Sequence, residues 1–350
     1  MTPKVILVTG VSGYLGAHVA ARLAADPGID RIIGVDAVTP RTDLLRTMGR
    51  SEFVRADIRN PLIAKVISSS EVDTVVHAST TAGPVAPSRR TMVKETNVIG
   101  TMQLLAACQR SPLVRKLVVK STAAVYGASA RSPAVCTEDM EPMGLASRGY
   151  GRDAVEVEGY VRGFARRRPE VTVTTLRLTN LIGPGVETAL TRYFSLPVVP
   201  TALGFDARVQ LLHPEDALAV LCRAAVADLP GVYNVGGDGV LALSQAIRRA
   251  GRVALPVPRV AMPVAAHLFR AARAVDLSAD QLRFLYYGRV LDTTRLSGEF
   301  GFSPRWTTRQ AFDDYVRASG GRPLVRPELS ALIQRKLAGT PRTPGSALKQ

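Results

Sequence analysis

Three glycines fall at the spacing Gly10-x-x-Gly13-x-x-Gly16 within Thr9-Gly10-Val11-Ser12-Gly13-Tyr14-Leu15-Gly16, after an apolar run and at the head of a helix-like segment. Glycines so spaced let the backbone approach a pyrophosphate, and the helix N-terminus beside them offers unpaired N–H groups to its charge. Asp36 closes a second apolar run twenty residues after Gly16. A carboxylate there can accept both ribose hydroxyls of NAD and would repel the 2′-phosphate of NADP. A plain strand-end cap is the alternative reading of Asp36, and Arg41 close by keeps NADP open. His77 lies inside an apolar run with no second ligand in view and reads as a core histidine. The three cysteines, Cys108, Cys136 and Cys222, are odd in number and widely spaced, which argues against a disulfide framework and a metal knuckle, so no metal is expected.

To hold these residues the chain must supply a sheet. Short apolar runs at 5–9, 31–36, 53–57, 74–77, 116–120, 172–178 and 231–235 alternate with helix-like stretches such as 16–25 and 98–110. That rhythm predicts βαβ units and a doubly wound parallel sheet of Rossmann type in an α/β protein. The first runs are nearly all apolar without alternation, as suits strands covered on both faces. The rhythm fills residues 1–180, with a late core strand at 231–235. From 181 to 320, Gly183-Pro184-Gly185, Pro197, Pro200 and a proline-rich stretch at 256–263 punctuate shorter elements, and a smaller, mostly substrate-binding lobe is expected there. Residues 339–350 read as a flexible basic tail.

Further motifs follow in order. They are Asp57-Ile58, Val75-Val76-His77-Ala78-Ser79, Thr96-Asn97-Val98-Ile99-Gly100-Thr101 and Ser121-Thr122-Ala123-Ala124-Val125-Tyr126-Gly127. After them come Arg177-Leu178-Thr179-Asn180, His213-Pro214-Glu215-Asp216, Tyr233-Asn234-Val235-Gly236 and Gly301-Phe302-Ser303-Pro304. With the glycine motif, this series resembles the extended short-chain dehydrogenases/reductases, in the NAD-dependent epimerase/dehydratase branch typified by UDP-glucose 4-epimerase, over nearly the whole chain. The resemblance implies that Gly10, Gly13, Tyr14, Leu15, Gly16, Asp36, Asp57, Ile58, Ala78 and Asn97 line an NAD site. A buried structural amide is an equal reading of Asn97. The resemblance also suggests a homodimer.

In the family a tyrosine moves the proton that accompanies hydride transfer, a Ser or Thr hydroxyl assists it, and a lysine four residues after the tyrosine holds the ribose and lowers the tyrosine pKa. Thr122, four residues before Tyr126, matches the hydroxyl, although a strand-ending threonine would look the same. Tyr150 is the candidate tyrosine, and Glu158 matches an acidic residue expected further along its helix. Position 154 is Ala where the family has Lys, and none of the seven lysines lies four residues after a tyrosine. An unperturbed phenol titrates near ~10, so restoring a phenolate at pH 7 takes roughly 4 kcal/mol. Arg152 projects to the opposite side of a helix from Tyr150 and is a poor substitute, whereas Arg148 could fold back. Asn180, Arg208 and Arg289 are candidate substrate contacts. Val209 stands where nucleotide-sugar enzymes usually carry an Arg, and the later Arg-x-Gly-Asp motif is missing, so Arg208 and Arg289 read equally as solvated surface charges.

The net charge of +16 comes from 45 Lys+Arg against 29 Asp+Glu. It is scattered as single arginines and short clusters without interleaved aromatics, and no nucleic-acid partner is expected. No uncharged apolar stretch is long enough to span a membrane. The expectation is therefore a cytoplasmic NAD-dependent epimerase/dehydratase-type oxidoreductase acting on a nucleotide sugar or related hydroxylated metabolite. The missing lysine motivates an alternative, a catalytically weak NAD-binding sensor or assembly partner. A second alternative is peripheral membrane association with a lipid or sterol substrate, suggested by the net charge and the apolar stretch 256–275.

Overall fold

The computed structural model describes residues 3–79, 87–143, 145, 149–271 and 278–320. Seven of the apolar runs pair into one sheet: β1 (Val5–Thr9), β2 (Arg31–Asp36), β3 (Glu52–Arg55), β4 (Thr74–His77), β5 (Lys116–Thr122), β6 (Thr172–Leu178) and the Gly231–Val235 strand. The Gly231–Val235 strand lies at one edge, followed by β6, β5, β4, β1, β2 and β3, and every pairing is parallel. Strand order reverses between β1 and β4. Beyond the carboxyl ends of the strands at such a switch point, a doubly wound sheet opens its ligand crevice.

Because side chains alternate across a strand, one sequence run feeds two layers. Ile6, Val8, Val76 and Val118 pack beneath the Tyr14–Ala24 and Pro214–Val226 helices. Leu7, Val75, Leu117 and Val119 pack beneath the Leu62–Ser69, Gly100–Arg110 and Tyr150–Arg167 helices. A third apolar cluster, built around Tyr193, Phe194, Leu211, Ile247, Phe284 and Phe312, forms the core of the lobe after residue 181. The lobe segment also returns to the sheet, since the Pro214–Val226 helix and Phe300 belong to the first cluster.

Two strands end differently from the sequence reading. β3 stops at Arg55 because Asp57 starts a turn, its carboxylate accepting from the Arg59 N–H at 2.9 Å and its carbonyl from the Asn60 N–H at 2.8 Å. β5 runs on to Thr122 because Ser121 and Thr122 continue the register with Arg177 and Leu178. The helix expected over 98–110 starts at Gly100, preceded by a π-helical turn at Glu95–Ile99. Among the described residues no helix is long and apolar enough to cross a membrane. The stretch 256–275 is described as far as residue 271, and residues 339–350 lie outside the described part.

Candidate active site

The glycine turn is built as its spacing requires. Gly10 has φ +79° and donates its N–H to the Val35 carbonyl at 2.9 Å, and a Cβ there would sit 2.6 Å from Ser79 Cα. At Gly16 a Cβ would come within 2.2 Å of the Gly10 carbonyl oxygen, so this glycine seats the helix against the turn. Gly13 is different. Its Cβ would meet only the Gly10 oxygen, at 3.4 Å, and would otherwise occupy the open side of the turn. The Tyr14–Ala24 helix has no side-chain cap and no acid in its first turn, which leaves its terminal N–H groups and positive end available to an anion. The Tyr14 ring stacks on His18 with centroids 4.1 Å apart, and Leu15 packs against the core, so at both positions the group facing the turn is backbone.

Asp36 reaches the same turn. Its Oδ2 accepts from the Ser12 N–H at 3.0 Å and the Ser12 hydroxyl at 2.6 Å, and its Oδ1 takes only a 3.3 Å bond from the Val38 N–H. Arg41 is paired with Asp43 at 2.6 Å, away from Asp36. Asp57 chelates Arg59, whose guanidinium holds the carboxyl below its usual range. The Ile58 side chain is buried beneath Gly100, Ala78 is buried just after β4, and Asn97 is buried in the π-helical turn. A Cβ-free cradle, an uncapped helix end and a carboxylate with an accessible oxygen together fit an adenine dinucleotide.

His77 is a satisfied core histidine. The Thr101 hydroxyl gives its proton to the Asn97 carbonyl, so it accepts from Nε2–H, and Nδ1 accepts from the Thr9 hydroxyl at 2.8 Å. Burial drives its pKa down to about 3, with the Lys120 charge adding to the effect.

An open cleft of about 610 Å³, counting solvent space at its mouth, lies at the ends of β5 and β6. It gathers Lys120, Thr122, Tyr150, Thr179 and Asn180 from the sheet side and Thr188, Leu190 and Gln281 from the lobe. The Thr122 oxygen accepts from the Ala124 N–H at 3.2 Å and thereby caps the short helix Ala123–Tyr126. Tyr150 begins its helix between two glycines, each with a packing reason. A Cβ at Gly149 would collide with the Asp280 carboxylate, and one at Gly151 would lie 2.7 Å from the Ala124 carbonyl. Asp280 also accepts from the Gly151 N–H at 3.2 Å, fixing the start of the helix from the lobe. Burial raises the Tyr150 phenol to about 12; the Arg289 charge opposes this and Asp280 adds to it. Arg289 is half-buried, and its Nε donates to the Gly127 carbonyl at 2.9 Å. Arg208 is exposed and donates to the Ala134 carbonyl at 3.2 Å; neither arginine lines the cleft. Arg152 is exposed, and Arg148 lies outside the described residues.

Sequence reasoning missed several parts of the site. Thr179 lines the cleft, and its buried hydroxyl has no hydrogen-bond partner among the described residues. Glu158 chelates Arg177, with its shortest contact at 2.7 Å, and accepts from the Ser121 hydroxyl at 2.6 Å. Arg177 continues to the Tyr126 hydroxyl, which donates to Asn234 at 2.7 Å. This buried network joins the Tyr150 helix to β5, β6 and the last strand, and so fixes Tyr150 relative to Thr122. Its only sequence signals were Glu158, matched as an acidic residue on the Tyr150 helix, and Arg177, which opens the Arg177-Leu178-Thr179-Asn180 motif.

Residues 6–236 match the NAD dependent epimerase/dehydratase family. An uncharacterised protein of Mycobacterium tuberculosis strain H37Rv is 52% identical over 325 residues, covering 93% of this chain and 86% of that protein. A UDP-glucose 4-epimerase of Neisseria gonorrhoeae is 29% identical over 242 residues, covering 67% of this chain and 65% of that one. Among solved structures, a Thermus thermophilus UDP-glucose 4-epimerase in complex with NAD superposes with a TM-score of 0.69 at 21% identity, covering 91% of this chain and 99% of the other. That likeness shows the shared fold.

Proposed function

Because the chain belongs to the NAD-dependent epimerase/dehydratase family, we propose that it oxidises a hydroxyl of a nucleotide sugar or related hydroxylated metabolite by hydride transfer to bound NAD, in an epimerase or dehydratase reaction. The observation that carries this reading is the single cleft that gathers Thr122, Tyr150 and Asn180 at the strand ends, on the sheet edge that also carries the glycine turn and Asp36. NAD, when bound, accepts the hydride from the substrate carbon and can return it. Tyr150 takes the hydroxyl proton, and the Thr122 hydroxyl, already accepting from the Ala124 N–H, donates to the reacting oxygen. Asn180 and the buried Thr179 hydroxyl orient the substrate. Gly10, Gly13, Gly16 and the Tyr14 and Leu15 backbone bind the pyrophosphate, Asp36 binds a ribose, and Asp57, Ile58, Ala78 and Asn97 flank the rest of the dinucleotide. Arg289 acts on Tyr150 through its charge, and Arg208 stands at the rim of the lobe.

Sequence similarity to a UDP-glucose 4-epimerase supports a nucleotide-sugar substrate. Residues 1–180 with the late strand would carry the cofactor, and residues 181–320 most of the substrate. Exposed Met92, Ile99, Met102 and Tyr160 on the Gly100–Arg110 and Tyr150–Arg167 side of the sheet support a homodimer, and three free cysteines support a reducing, cytoplasmic location.

The test is NAD and NADP calorimetry on the full chain, followed by product analysis with UDP-glucose, UDP-glucuronic acid and dTDP-glucose. NAD preference with substrate conversion supports the reading. The second reading, an NAD-binding protein of low activity, is favoured by the high Tyr150 pKa beside Ala154 and would give tight NAD binding with no conversion of any of them.

A further inference from the structure

The Tyr150–Arg167 helix begins at the candidate proton acceptor, and Gly149 in front of it has no side chain to cap the free N–H groups. The cap comes from the lobe. Asp280, on the Ala279–Tyr287 helix, accepts from the Gly151 N–H at 3.2 Å, and its Oδ2 stands where a Cβ at Gly149 would lie. On the other side, a Cβ at Gly151 would lie 2.7 Å from the Ala124 carbonyl, in the short helix that Thr122 caps. Tyr150 is thus held between a lobe carboxylate and the Thr122 segment. Asp280 is 6% exposed. A carboxylate so buried costs free energy unless donors meet it, and the positive end of the Tyr150 helix meets it here.

The helix that carries Asp280 also forms the lobe wall of the cleft. Gln281 lines it beside Tyr150, and Phe284 and Leu285 line an adjoining recess that Tyr150 shares. A capping box between Ser278 and Gln281 fixes where this helix starts, and beyond its end Arg289 donates to the Gly127 carbonyl at 2.9 Å. Resting on the functional reading above, we propose that Asp280 is a positioning residue for Tyr150: as a helix cap supplied from the lobe it sets the phenol against the Thr122 segment, so that one lobe helix seats both the tyrosine and the substrate. Asp280 touches no reacting atom in this arrangement. Its charge raises the Tyr150 phenol, and the Arg289 charge lowers it. The other ionisable groups near the tyrosine are Lys120 in the cleft wall, Asp153 in the first turn of the same helix, and Tyr193 in the recess, its hydroxyl on the Pro200 carbonyl.

The experiment compares Asp280→Asn and Asp280→Leu in the NAD-loaded full chain. It reads conversion of a nucleotide sugar, NAD affinity, and tyrosinate absorbance after a rapid pH jump, assigned to Tyr150 by difference from Tyr150→Phe. Asp280→Leu keeps the volume and loses the acceptor, so kcat should fall about 10- to 100-fold while KM and the NAD dissociation constant stay within about threefold. Asp280→Asn keeps an oxygen for the Gly151 N–H and should recover most of that kcat loss. Without the carboxylate charge, its Tyr150 titration should fall by about one pH unit. Unchanged kcat in Asp280→Leu, Asp280→Asn as slow as Asp280→Leu, or an unmoved titration in Asp280→Asn overturns the proposal. Should Asp280→Leu not fold, Asp280→Asn decides, by its titration and by a kcat within about fivefold of the parent. A parent that binds NAD and converts no nucleotide sugar sinks the functional reading instead, while the titration still tests Asp280, so the two failures are separable.

Discussion

Asp36 gives the sharpest handle on the cofactor. Replacing it with Asn keeps the side-chain volume and a carbonyl oxygen that can still accept from Ser12. The other end of the side chain becomes an NH2 group where the ribose hydroxyls need an acceptor. In the structure Oδ2 already takes two Ser12 bonds, and Oδ1 takes one weak bond from Val38. The substitution therefore removes one or two charge-assisted bonds to the ribose, each worth about 1.5–3 kcal/mol. A single such bond corresponds to a roughly 10- to 150-fold rise in the NAD dissociation constant. NADP should gain relative to NAD because the repelling charge has gone. Arg41 should not compensate, being held by Asp43. Titration calorimetry of both cofactors against the parent and Asp36→Asn measures the effect. If NAD affinity stays within about twofold, or if the parent prefers NADP, the assignment of Asp36 to the ribose is wrong.

The glycine turn predicts a separation of function. Gly13→Ala should fold with an almost unchanged melting temperature and lose NAD affinity, because its methyl would enter the open side of the turn. Gly16→Ala should lose stability as well, since its methyl meets the Gly10 oxygen at 2.2 Å, and thermal unfolding with calorimetry distinguishes the two. The Thr179 hydroxyl has no partner among the described residues, so Thr179→Val should leave the free chain as stable or slightly more so while weakening substrate turnover, read as KM against kcat; a clear loss of melting temperature would contradict this. His77 carries a pH signature. Its folded pKa of about 3 lies below the ordinary histidine value of 6.5, so the unfolded chain binds the extra proton and the histidine's contribution is complete above pH 6.5 and lost as pH falls towards 3. The slope should reach about 1.4 kcal/mol per pH unit within that window. Urea unfolding of parent and His77→Asn between pH 7 and 5 should show a flatter dependence in the variant.

Much of the fold was legible because parallel strands covered on both faces are written as uninterrupted apolar runs, as Ile6-Leu7-Val8 and Val118-Val119 are. The glycine turn and Asp36 were legible too, since both depend on backbone conformation and fixed spacing. What hid were contacts made across long sequence distances. Asp280 reaches Gly151 from a helix far along the chain, and no local pattern announces it. The His213-Pro214-Glu215-Asp216 motif proved to do structural work. His213 accepts from the Glu215 N–H at the helix start and stacks on Trp306 at 4.1 Å, while Asp216 accepts from the Arg305 and Trp306 N–H groups.

The central claim is that this cleft oxidises a substrate hydroxyl with Tyr150 as the proton acceptor. The most direct measurement follows conversion of nucleotide sugars by the NAD-loaded protein, read as isomerised or dehydrated product, in the parent and in Tyr150→Phe. The account predicts turnover in the parent and a loss of roughly 100- to 10,000-fold in the variant, with NAD affinity little changed. Equal turnover in Tyr150→Phe, or a fully NAD-loaded parent that converts nothing across the panel, would contradict it.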